Sequence, residues 1–318
     1  MLEFRCANCF EPVIGQPLFL GKIFRPLILA TFIAMSCGMM AHGAGFRCEA
    51  DGSILVAWDT NYHGVAILPK GIKHVKARAF AGCGWITRID VPEGVETIGE
   101  WAFSSCRSLT RISMPDTITE IGDGAFAGCR ALQCISIPQN IFEIKRNMFW
   151  TCTRLEDVRI SSSVTNIEDN AFNGCCRLER ISMPSALRRI GDNAFVNCRM
   201  LDIVDLPCNL ATVGSCAFAG CKAIRKVVVP DTLTVLGDKA FWGCDSLEKL
   251  IFLGDAPQSG PKVLVGTRSD LLIYVKSGSV GWMQENGAWP AMPSKERRKV
   301  VEMKGIEQVN CSDLLKLP

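Results

Sequence analysis

The chain has 318 residues, 48% hydrophobic and 21% charged, with a formal net charge of +3. That balance supports a packed core and excludes a disordered chain, and so small a charge leaves no electrostatic footprint for nucleic acid. The net charge sits at the ends: residues 295–318 carry six basic and four acidic side chains and residues 1–43 three and two, leaving 44–294 neutral.

The first predicted element is a leader. Lys22 and Arg25 precede an apolar run from Pro26 to Ala41, which ends in the small residues Ala41-His42-Gly43. Basic, apolar and small segments in that order predict a signal peptide cut after Gly43, so residues 1–43 are expected to be removed. The run is shorter than the roughly 20 apolar residues of a membrane span, and Gly38 interrupts it. An uncleaved anchor and a lipid anchor on Cys37, after Ala34-Met35-Ser36, are the alternatives. Cys6 and Cys9 form a lone CxxC without the second pair that a zinc site needs.

Residues 44–60 predict an N-terminal cap, a hairpin turning at Asp51-Gly52 with a strand over Ile54–Trp58. From residue 61 to 253 a repeat takes over. Its structural ladder is Phe80, Phe103, Phe126, Phe149, Phe172, Phe195, Phe218 and Phe241, every interval being 23 residues, and Ala precedes each except at Met148. Cysteine follows each Phe by three positions, from Cys83 to Cys244, and proline recurs in step except where Ser161 stands.

One unit, 107–129, reads RSLTRISMPDTITEIGDGAFAGC. Ile112, Ser113 and Met114 alternate as a strand buried on one face does, and Pro115 ends it because proline has no N–H for the ladder. Ile118–Ile121 is a second extended piece, Gly122 opens a turn, and Ala125-Phe126-x-x-Cys129 packs back as a helical or 3₁₀ turn. A coil of this size cannot bury both faces alone, so copies must stack and equivalent residues must align as ladders. Eight coils and a partial ninth, at a strand spacing of about 4.8 Å, make a solenoid on the order of 40 Å long.

The unit resembles the leucine-rich repeats of BspA-type bacterial surface proteins on Leu109, Ile112, Met114, Pro115, Ile118, Ile121, Gly122, Ala125, Phe126 and Cys129. The resemblance implies a right-handed leucine-rich-repeat solenoid of short parallel strands. It also implies an exposed or secreted protein that works by binding or adhesion. Lys76, Lys145 and Glu168 replace the Gly found at 99, 122, 191, 214 and 237, so positive φ is not required there, and the coils from 130 to 175 are expected to be the least regular. Residues 254–293, with an apolar strand at Leu271–Val275 and with Trp282 and Trp289, are expected to cap the C-terminal end, leaving 294–318 as a charged tail.

No nucleophile elbow, phosphate loop or metalloprotease motif occurs, so neither catalysis, cofactor nor metal is expected. His63 and His74 read as two surface histidines of the first coil rather than a metal pair. The cysteine ladder reads as small apolar filler rather than disulfides, because stacked in-register side chains point the same way. The varied side chains lie on the strand. Arg88, Arg111, Arg159, Arg180 and Lys226 are the candidate ligand-contact residues, a basic stripe suited to a protein or an acidic glycan at the cell exterior. A spacer role would need no such face, and an enzyme would need a pocket in a cap. With both ends capped, the chain is expected to be a monomer.

Overall fold

The computed structural model describes residues 45–284, 287–288 and 299–303. The leader with Cys6, Cys9 and Cys37, together with Trp289 and most of the charged tail, lies outside the described residues. A typical coil lays down two short strands, and stacking gathers them into two walls. One wall contains Gly64–Ile67, Ile86–Asp90, Arg111–Ser113, Cys134–Ser136, Asp157–Arg159, Ile203–Asp205, Lys226–Val229 and Lys249–Phe252. The second holds two-residue strands such as Thr97–Ile98 and Glu120–Ile121. Neighbours pair in parallel with the register of the repeat, Arg88 beside Arg111 and Ile98 beside Ile121. In-register stacking puts every apolar position on its own copy, so Ile89, Ile98, Leu109, Ile121 and their equivalents form one continuous core.

The third wall, which carries the Ala-Phe-x-x-Cys stretch, corrects one expectation. Among the described residues it contains neither α-helix nor 3₁₀ turn. Two positions in each coil take positive φ, as at Asn147 with Thr151 and at Asn193 with Asn197. A residue in that region cannot continue a right-handed helix. Alternate amides therefore diverge: Ala81 N donates to Arg78 O within the coil, whereas Phe80 N and Gly82 N donate to Ala102 O and Ser104 O of the next.

Within this wall the rings of Phe80, Phe103, Phe126, Phe149, Phe172, Phe195, Phe218 and Phe241 are all fully buried, with successive centroids 5.0 to 5.6 Å apart. The ladder is most regular around Phe195, whose ring lies within 6° of parallel to Phe172 and 2° to Phe218. At the N-terminal end Trp58 stacks on Phe80 at 4.9 Å and Phe46 on Trp58 at 5.4 Å. Those two rings come from an antiparallel hairpin, Phe46–Cys48 with Ile54–Trp58, turning through Gly52 at positive φ. The eight ladder thiols are free and buried.

The Gly at 99, 122, 191, 214 and 237 does not adopt positive φ; it serves close approach. An added Cβ on Gly237 would run into the Gly214 carbonyl carbon, and one on Gly122 would lie 2.6 Å from Glu100 N. Where Lys145 takes this position the second wall is interrupted, because Glu120–Ile121 and Glu143–Ile144 belong to different sheets. A hollow of about 340 Å³ opens there, lined by Glu100, Glu120, Asp123 and Lys145 among others. The first wall breaks at the same junction, where the stretch expected to be irregular begins, because Arg111–Ser113 and Cys134–Ser136 belong to different sheets. It breaks again beyond that stretch: the coil after Cys176 has only the single bridge from Arg180 to Ile203, and nothing in its sequence explains this.

Coil geometry continues beyond Leu253. Lys249–Phe252 pairs with Leu272–Lys276 at the same 23-residue offset, and buried Leu264 and Thr267 occupy the Phe and Cys positions of a ninth coil. From the charged tail, Lys299–Met303 adds a further parallel strand against Leu272–Lys276.

Candidate functional site

On a strand the side chains alternate, so the residues between core positions face outward and stacking turns them into columns. The first outward column runs Val65, Arg88, Arg111, Cys134, Asp157, Arg180, Ile203, Lys226 and Lys249. The second, two residues along, runs Ile67, Asp90, Ser113, then Ser136, Arg159 and, further on, Asp205, Val228 and Ile251. The expected stripe is thereby divided. Arg88, Arg111, Arg180 and Lys226 share the first column, with Cys134 and Asp157 separating Arg111 from Arg180. Arg159 belongs to the second.

Two of these cations meet an acid within their own strand. Arg88 Nε meets Asp90 Oδ1 at 2.9 Å, and that oxygen also accepts Ser113 Oγ at 3.0 Å. Arg159 lies 3.8 Å from Asp157, while Glu156 pairs with Arg177 rather than with the strand arginines. Lys226 and Lys249 are register neighbours. Desolvation, and then the repulsion of Lys249, lowers the Lys226 pKa, while desolvation raises that of Asp205.

The face changes character toward both ends. Val228, at an outward position of its strand, is nevertheless buried, and with Ile251, Leu253, Tyr274 and Met303 it forms a second, small apolar cluster outside the main core. The charged part of the face therefore ends near Lys226 and Lys249. At the opposite end Val65, Ile67 and Trp85 are exposed, Ile67 by 70%, and His63 stacks on Trp85 at 5.2 Å. Alternation in Gly64-Val65-Ala66-Ile67 carries the signal for these residues, but apolar residues in a first coil read as core. His74 does not join His63; its Nδ1 lies 2.9 Å from Thr97 Oγ1. Among the described residues no group of three or more His, Cys, Asp or Glu side chains is arranged to hold a metal ion, and no helix is long and apolar enough to cross a membrane.

Two parallel strand walls closed by a turn wall, repeating every 23 residues, define a leucine-rich-repeat solenoid. Six copies of the BspA type leucine rich repeat region match residues 65–175 and 165–259. The chain belongs to that family. It is similar to a leucine-rich repeat protein from Bacteroides ovatus, at 25% identity and a TM-score of 0.58 over 78% of this chain and 71% of that one. It is also similar to a leucine-rich repeat protein from Eubacterium ventriosum, at 26% identity and a TM-score of 0.50, over 53% and 46% of the two chains. No curated protein matches the sequence.

Proposed function

We propose that the protein is an exported binding module. Its strand face engages a protein or an acidic glycan at the cell exterior, in adhesion or surface recognition. The observation that carries this reading is the first outward column, where Arg88, Arg111, Arg180, Lys226 and Lys249 stand against the single acid Asp157. The ladder fixes the backbone spacing of these cations, and one sign of charge along a face draws in a partner of the other. Export is supported by the apolar run Pro26 to Ala41 after Lys22 and Arg25. The hairpin on the first coil and the strand Lys299–Met303 on the last favour a monomer.

The test is a binding screen of the protein against immobilised extracellular-matrix proteins and acidic glycans, repeated with Arg88, Arg111, Arg159 and Arg180 changed together to Glu. Binding is expected to be lost in the variant, and to weaken in the native protein toward an ionic strength of about 1 M, where screening reaches within about 3 Å. Binding that survives both changes overturns the strand-face reading. A mass that rises with concentration in light scattering overturns the monomer.

A further inference from the structure

The turn wall presents a second face, on the other side of the buried Phe ladder, and its composition is unlike the rest of the surface. Three columns lie on this side, from Trp101 to Lys239, from Ser104 to Trp242, and from Ser105 to Gly243, with Ala127 and Ala219 of the middle one buried. Across these seven coils Lys239 is their one charged residue, in a chain that is 21% charged. Positive φ accounts for the Gly and Asn of the first and third columns, since those residues tolerate it best. It does not account for tryptophan.

Trp101 takes φ 55° although it is bulky, and its ring lies flat against Gly124, where an added Cβ would come 2.5 Å from the ring. Trp150 and Trp242 share the middle column, and both rings are nearly half exposed. Between them the accessible floor is Asn173 and Val196, with Ala219 buried, and it is bordered by Asn170, Asn193 and Asn197. Asn173 donates to Asn170 at 3.0 Å, so the nearer amides already hold each other in place.

An indole face offers a flat apolar platform, and an amide both donates and accepts hydrogen bonds without charge. Together they match a pyranose, which has an apolar C–H face and a rim of hydroxyls. Neutrality is the complementary property: apart from Lys239 at one end, the columns offer no ion to a charged partner, and the amides interrupt any continuous apolar area that a protein helix would cover. The floor also repeats with the coils, whose Phe rungs lie 5.1 to 5.6 Å apart here, close to the advance of one sugar in an extended chain. We propose that this strip, from Trp101 to Trp242, binds a linear uncharged glycan lying along the solenoid axis. The site is separate from the strand face and does not depend on it.

The test is affinity electrophoresis of the full chain in gels containing hydroxyethylcellulose, laminarin or galactomannan, with polygalacturonate as the charged comparison. Retardation by at least one neutral polymer is expected, unchanged by salt and by the Glu substitutions on the strand face. Trp150→Ala and Trp242→Ala are each expected to weaken it at least tenfold, while Trp150→Phe, which keeps a ring, restores much of it. Circular dichroism establishes that the variants are folded. No retardation by any neutral polymer, retardation by polygalacturonate alone, or equal retardation of folded Trp150→Ala and Trp242→Ala overturns the proposal.

Discussion

The Cys106 thiol donates to the backbone carbonyl of Phe80, 3.2 Å away in the preceding coil. The same bond recurs at every later rung, from Cys129 with Phe103, through Cys221 with Phe195, to Cys244 with Phe218. Cysteine is thus more than a filler of the right volume. A buried carbonyl gains a second, weak donor from a side chain small enough for the site, which alanine or valine would not supply.

Burial pushes the Cys152 and Cys244 thiols up to about 12. An unfolded thiol ionises near its ordinary value of 9.0, so above that pH the unfolded chain holds fewer protons than the folded one, and stability falls as pH rises toward 12. The slope is about 1.4 kcal/mol per pH unit for each such thiol. Calorimetric melting temperatures are expected to be level from about pH 7 to about pH 8 and to fall above the thiol range, less steeply in Cys152→Val. A melting temperature that stays level through that range would contradict the buried, protonated ladder.

Phe172 is fully buried, with the rings of Phe149 and Phe195 5.2 Å and 5.1 Å away on either side. Phe172→Ala is expected to cost about 3 to 5 kcal/mol, because neighbouring coils are held apart by their own Phe rungs and cannot collapse into the space. Urea unfolding of the two proteins measures the difference, and Phe172→Leu should lose less.

Gly237 tests close approach without any question of φ. Its Cβ would run into backbone atoms of Gly214 and Ser215, so Gly237→Ala must push two coils apart at a cost of about 1 to 3 kcal/mol. Urea unfolding of Gly237→Ala beside the native protein measures that cost.

Asp192 Oδ1 accepts the Ser215 N–H of the next coil at 2.7 Å, as Asp169 Oδ1 accepts that of Asp192 at 2.9 Å. Asp192→Ala removes the acceptor of an exposed turn and is expected to cost about 1 kcal/mol in thermal unfolding. Asp192→Asn, which keeps an oxygen in place, should recover most of it.

The coil and its stacking were legible because Phe126, Cys129, Pro115 and their copies mark the same places in every unit, and an in-register repeat has one way to bury them. The turn wall was harder to read. Ala125-Phe126-x-x-Cys129 has a spacing that suits a helical turn, and only the residues in positive φ just before and within it, Gly124 and Gly128, indicate that the amides leave for the next coil. The ninth coil carries no such mark, because Leu264 and Thr267 fill the Phe and Cys places with different side chains. On the strand face, spacing placed Arg88, Arg111 and Arg180 in one column, but Val228 is buried through the cluster it forms with Ile251 and Tyr274, a contact between strands that its own coil does not reveal.

The bonds that join coil to coil along the turn wall all run one way. Trp58 N reaches Ala79 O, Phe80 N reaches Ala102 O, Phe195 N reaches Ala217 O, and the series ends with Phe241 N on Val263 O and Gly243 N on Val265 O. Peptide dipoles aligned head to tail add, as they do in a helix. This wall is therefore polarised along the solenoid axis, with its positive pole at the C-terminal coil and its negative pole at the N-terminal hairpin, where the Trp58 amide covers the first carbonyl. In an α-helix the positive pole lies at the N-terminal end, so this wall carries the opposite polarity relative to its chain direction.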